Sequence, residues 1–277
     1  MRFFMIVAGV LCAATLALWT PTADAVPKVD IFVYTEITQW IGQGQAQEQA
    51  DIFIKEMKGQ RGIGEIVNED AKAIEKWTKD HTEEKGYHLI SLYGDFPPEI
   101  YPQGNKDEDG SVAEEFLDAG NTFSNSADYF FWGLAGRNRE GGLQNMMDIP
   151  GIVQWDDDTA MKVTKEGKKL TPTLKDYATD RPFHVDQLAK TDWEVEIAFA
   201  TETGKSTGMN RCDPCIIRNT ETDARLIQVY QTNGQDDPKG KVLSEILLNY
   251  YLETIGALDV DPQEKLSTTW GDLKSRR

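Results

Sequence analysis

The sequence predicts a three-layer α/β sandwich: a mainly parallel sheet with helices on both faces and a late antiparallel extension. Short β-branched apolar runs alternate with amphipathic segments through the first half of the chain, the pattern of a covered parallel sheet. From about residue 193, strands are joined by short turns instead, which suits antiparallel pairing. The roughly 250 residues that follow an N-terminal leader are enough for one sizeable core.

The leader comes first in chain order. Arg2 supplies a basic start, 3–19 is apolar, and Ala23-Asp24-Ala25 closes a polar stretch. A basic start, an apolar centre and an A-x-A exit make a secretion signal over 1–25, expected to be cleaved. The competing reading is an uncleaved membrane anchor. Leu11 before Cys12 argues against lipidation there. The mature domain is expected over 26–257, with a polar tail at 258–277, in a secreted or periplasmic location. No later segment approaches the ~18 apolar residues of a membrane span.

Val29–Tyr34 reads as a buried first strand. Ala46, Ala50, Phe53, Ile54 and Met57 recur at helical spacing. A second strand is expected at 63–67, a second helix at 68–84 and a third strand at 87–93. Gly94-Asp95-Phe96-Pro97-Pro98 then breaks the pattern. A short helix at 111–119, closed by Gly120, leads into a fourth strand at 121–126. Less regular sequence follows, with a helix expected near 143–147, a strand at 152–155 and a polar excursion up to Asp180. The run 193–200 alternates like an edge strand, and 216–219 and 225–230 read as a hairpin. Asp237 and Pro238 are expected to start the last helix, and Gly256 to end it.

The formal net charge is −17, from 46 acidic and 29 basic residues. Such a balance repels nucleic acid and anionic membranes. With Cys12 in the leader, Cys212 and Cys215 remain, as Cys-Asp-Pro-Cys. In an oxidising compartment this pair is expected to be a loop-closing disulfide. A redox C-x-x-C would need a βαβ start, which is missing.

Several stretches resemble a known fold. They are the third strand running into Gly94-Asp95-Phe96-Pro97-Pro98, the helix end Glu114-Glu115-Phe116-Leu117-Asp118-Ala119-Gly120-Asn121, Asp180-Arg181-Pro182-Phe183-His184, and the late hairpin from Cys215-Ile216-Ile217-Arg218 through Ala224-Arg225-Leu226-Ile227. In these, over about 29–255, the chain resembles the class I glutamine amidotransferase-like fold, a flavodoxin-like sandwich, and within it the trehalose-utilisation (ThuA-like) group. The resemblance implies carbohydrate-related binding or metabolism, with a sugar or glycan as partner. It implies no glutaminase. That chemistry needs a cysteine at a strand-to-helix elbow, activated by a base. The elbow falls near 124–128, where there is none.

In open α/β sheets, ligands bind beyond the carboxyl ends of the strands. That rule selects Thr35 and Glu36, Asp95, and Ser126 and Asp128; His184 and Asp186 could fold over the same edge. His184 could act as a base or, with Glu36, Asp95 or Asp186, hold a metal. A triad of Ser126, His184 and a carboxylate would make a hydrolase, but no G-x-S-x-G elbow presents the serine. His81 falls beside the Trp77 stripe and His88 within a strand. The segment 105–110 begins like a calcium loop, yet its twelfth position is Phe116 rather than glutamate. Asp156-Asp157-Asp158 beside Trp155 could suit a sugar or calcium, with a charged turn as the default. No cofactor and no metal site is assigned. Alternatives to sugar binding are a non-catalytic partner-binding module and a secreted serine hydrolase.

Overall fold

The first strand, β1 (Val29–Tyr34), shows how the layers arise. Ile31 and Val33 belong to one apolar cluster, Phe32 and Tyr34 to the other, and all four are fully buried. A strand apolar on both faces must be covered on both. The computed structural model describes residues 28–83, 87–126, 129–234 and 236–256. The leader at 1–25, the tail at 258–277 and Asp128 lie outside the described residues.

β1 pairs in parallel with β2 (Ile63–Asn68) and β3 (Leu89–Leu92). β3 pairs in parallel with β4 (Thr122–Ser126). Helices α1 (Gln43–Met57) and α6 (Lys239–Ile246) pack on one face of this sheet. Helices α2 (Ala71–Thr82), α3 (Val112–Asp118) and α4 (Arg139–Met146) pack on the other. Asp70 caps α2 through the amides of Lys72 and Ala73. Ser111 and Glu114 form a capping box on α3. That box uses the carboxylate nearest the calcium-like segment, and Phe116 turns into the core.

The irregular middle of the chain holds a second sheet that the sequence did not reveal. It contains β5 (Thr159–Val163), β6 (Tyr177–Thr179), β7 (Phe183–His184), β9 (Ala200–Thr201) and β10 (Arg211–Cys212), in the order β6-β5-β9-β10-β7. Helix α5 (Lys165–Leu170) joins β5 to β6. The expected edge strand at 193–200 divides. Its first part, β8 (Trp193–Ala198), lies at the edge of the main sheet, while Ala200 and Thr201 pair in the second. The strand expected at 152–155 is absent. Gln154 is drawn instead into polar bonds, accepting from the Phe130 amide and donating to Gln228.

The late hairpin forms as β11 (Cys215–Asn219) and β12 (Arg225–Val229), antiparallel to each other. β12 also pairs in parallel with β4, so it is a member of the parallel block. The main sheet runs β2-β1-β3-β4-β12-β11-β8. After α6 comes a π-helical turn at Leu247–Tyr251 and a last turn, α7 (Leu252–Thr254). The side chain of Asp237 caps no amide of α6, because Lys239 and Thr232 occupy it.

Candidate functional site

The winding of the sheet reverses between β1 and β3, since β2 lies outside β1 and every later strand lies outside β3. Ligands of such sheets bind beyond the carboxyl ends at that reversal. The structure brings Thr35, Glu36 and Asp95 to this point. Asp95 is 2% exposed and accepts a 2.7 Å bond from Gln39 Nε2. Burial pushes its carboxyl up to about 6. Gly94 is required beside it, because a Cβ there would lie 2.1 Å from the Ile37 carbonyl oxygen. The Tyr34 hydroxyl, buried near the carboxylates of Glu36, Glu99 and Asp95, has no hydrogen-bond partner among the described residues. Thr35 donates to Gln47, and Glu36 accepts from the Ala71 amide at the start of α2.

His184 belongs to another group. Its Nδ1 bonds Gln187 at 2.8 Å and its Nε2 stands 3.8 Å from Asp156. Arg211 joins Asp156, at 2.5 Å, to Asp186, at 3.4 Å. Burial and the Arg211 charge lower the His184 pKa, so the ring is held neutral. Its polar neighbours include none of Glu36, Asp95 or Ser126. The triad of Ser126 and His184 is therefore not assembled. The physical reason is that β7 is fixed by pairing with β10 in the second sheet, which turns the ring toward Asp156. Ser126 Oγ is fully buried and has no hydrogen-bond partner among the described residues.

The expected disulfide is also corrected, since Cys212 and Cys215 are buried free thiols. Cys212 ends β10 and Cys215 opens β11, and the Cys215 thiol is directed at the Cys212 carbonyl oxygen 3.5 Å away. Burial pushes the Cys215 thiol well above its usual range, the opposite of what a nucleophile needs.

The carboxyl end of β12 opens on a cleft of about 420 Å³, a size common for ligand pockets. Tyr177 and Tyr230 line it with ring centres 4.5 Å apart, together with Thr173, Asp176 and Asp237. Tyr230 holds a left-handed backbone (φ +49°), a strained conformation for a bulky residue. Lys239, fully buried beneath it, donates to the carbonyls of Tyr230 at 3.0 Å and Thr232 at 3.1 Å and faces Asp237 at 3.4 Å. Asp213 lies alongside, its Oδ2 accepting from the Thr179 hydroxyl and, at 2.9 Å, from the Gln231 amide. Burial pushes its carboxyl up to about 6 against those bonds and the Lys239 charge. Buried groups with shifted ionisation beside a cleft mark a candidate site. None of these residues was selected from sequence. The strand-end rule would have reached Tyr230 had β12 been read as parallel.

Asp95 and Asp213 set an expected pH dependence. Both titrate higher in the folded chain than the usual value near 3.9 when unfolded. The native state then binds more protons between about pH 4 and 6, so stability falls as pH rises through that window. Each group contributes on the order of 2 kcal/mol. Urea midpoints are expected to drop from pH 4.5 to pH 7, and Asp213→Asn to flatten the profile. An unchanged profile in that variant would exclude Asp213 as a source.

No family model matches the chain. Neither does any curated protein. Among solved structures, the chain is similar to a protein from Bacteroides uniformis ATCC 8492 described as ThuA-like. The identity is 12%, the match covers 83% of this chain and 95% of that one, and the TM-score is 0.44.

Proposed function

We propose that the chain is an exported domain of ThuA-like type that binds a neutral carbohydrate in the cleft at the end of β12. The observation that carries this reading is the lining of that cleft. Two tyrosine rings meet the carboxylates of Asp176 and Asp237 and the hydroxyl of Thr173. The C–H faces of a sugar pack against aromatic rings, while its hydroxyls donate to carboxylates. The lining carboxylates and the net charge of −17 disfavour an anionic ligand such as a sugar phosphate. Tyr230 is fixed by its clamped carbonyl and Tyr177 by its hydroxyl bond to the Asp213 carbonyl at 2.7 Å, so the platform is rigid. The export part of this reading is supported by the signal-like pattern of residues 1–25.

The test is a thermal-shift and calorimetric screen of neutral mono- and disaccharides, trehalose included. At least one is expected to raise the melting temperature. Tyr177→Ala is expected to weaken that sugar at least about tenfold, the worth of one lost aromatic contact. Tyr177→Phe, which keeps the ring, is expected to lose less. If no neutral sugar binds, or if Tyr177→Ala binds as tightly as the parent chain, the reading fails.

A further inference from the structure

We propose that Asp30, His81 and His88 form a binding site for a divalent transition-metal ion of the Zn²⁺ type. It lies at the amino ends of the parallel strands, the end opposite the cleft, where β1 and β3 begin and α2 ends. One ligand atom from each of the three residues falls within 4.8 Å of the others.

The distances favour a shared ion over direct hydrogen bonding. Asp30 Oδ2 is 3.6 Å from His81 Nε2 and 3.8 Å from His88 Nδ1. Both separations are too long for hydrogen bonds. Ligand atoms around one tetrahedral Zn²⁺, each ~2.0–2.1 Å from it, stand about 3.3 Å apart. Asp30 Oδ2 thus needs to close on each imidazole nitrogen by only a few tenths of an ångström, and the two imidazole nitrogens start within 4.8 Å of each other.

The tautomers fit as well. His81 Nδ1 lies 2.7 Å from the Trp77 carbonyl oxygen, to which it can only donate. That leaves the Nε2 lone pair facing Asp30, the arrangement in which a ligating histidine's other N–H is held by a carbonyl. His88 Nδ1 accepts from the Asp30 amide at 3.3 Å, so it too carries a lone pair. That bond is at the long end of the range and would give way to a metal. Two imidazoles and one carboxylate suit Zn²⁺ and its neighbours better than Ca²⁺ or Mg²⁺.

The surroundings hold the ligands in place. The Glu65 amide donates to Asp30 Oδ1 at 2.6 Å and leaves Oδ2 to the histidines. Gly64 makes this possible, since a Cβ there would lie 2.0 Å from Asp30 Oδ1. Trp77 stacks on the His81 ring with centres 4.0 Å apart. Asn121, fully buried, accepts from the His88 amide at 2.9 Å and donates to the His81 carbonyl at 3.5 Å. The side chains of His81 and Asp30 are 15% and 25% exposed, so an ion can enter and water can complete its shell. The ion would tie the end of α2 to the starts of β1 and β3.

The experiment is a calorimetric titration of the purified, chelator-stripped full chain with Zn²⁺, repeated with Co²⁺ and read by visible absorption. One ion per chain is expected, with Co²⁺ d–d bands and no thiolate charge-transfer band. Asp30→Asn and His81→Gln, both at partly exposed positions, are expected to weaken Zn²⁺ at least about tenfold. Gly64→Ala, which displaces the carboxylate without removing it, is expected to weaken it about 10–100-fold. Asp148→Asn, in the separate Asp109, Glu114 and Asp148 cluster, is expected to change nothing. The proposal is overturned by the absence of one-to-one binding, by a thiolate band, or by parental affinity in both Asp30→Asn and His81→Gln.

Discussion

Lys239→Met is expected to lower the free energy of unfolding by about 3–5 kcal/mol, the cost of removing one partner from a buried charge group. The Lys239 side chain is wholly buried and makes three polar contacts, to the carbonyls of Tyr230 and Thr232 and to Asp237. Methionine keeps the length of the stem and takes away the charge, so packing is nearly conserved and the loss is electrostatic. The two carbonyls and the carboxylate would be left short of a donor in a site that water reaches poorly. Tyr230 would also lose the clamp on its strained backbone. Urea denaturation at pH 7 checks the figure, and a loss below about 1 kcal/mol would mean that water substitutes for the ammonium.

Arg225→Met is expected to cost a similar amount, about 3–5 kcal/mol, for a related reason. Arg225 Nε bonds Glu196 at 2.7 Å with side-chain exposures of only 4% and 9%. The same guanidinium donates to the Asp223 carbonyl at 2.7 Å and meets its carboxylate at 3.2 Å. The pair spans from β12 across β11 to β8, so it ties the end of the parallel block to the antiparallel edge. Removing the arginine strands Glu196 in the interior. Arg225→Met combined with Glu196→Gln is therefore expected to recover much of the loss, because the uncompensated charge has gone. Unfolding measurements on the four members of this cycle give the coupling directly. Additivity of the two single changes would show that the residues do not act as a pair.

The parallel block was legible because its strands are apolar on both faces and its helices carry stripes of period near 3.6. Phe32 and Tyr34 against Ile31 and Val33 are such a case. The second sheet was not legible. Tyr177–Thr179 and Phe183–His184 are too short to show a period, and Thr159–Val163 exposes Ala160 and Lys162. Their pairing is fixed by partners far along the chain. The strand-end rule found Thr35 and Asp95, which share the switch point. It misplaced His184, whose position depends on Arg211 and Cys212 opposite it. Lys239 follows a proline in a polar stretch, a context that gives no sign of burial. Its burial depends on carbonyls that converge only when the turn after β12 folds back.

The carboxylate of Asp213 takes one bond from Thr179, in the second sheet, and one from Gln231, just past the end of the first. Two walls of the cleft, Asp176 and Tyr177 on one side and Tyr230 on the other, lie within three residues of these two along the chain and are therefore pinned to a common point in the interior. For the sugar proposed to bind there, a cleft pinned in this way would offer a shape already set, and little ordering entropy would remain to oppose association: a lock rather than a closing hand.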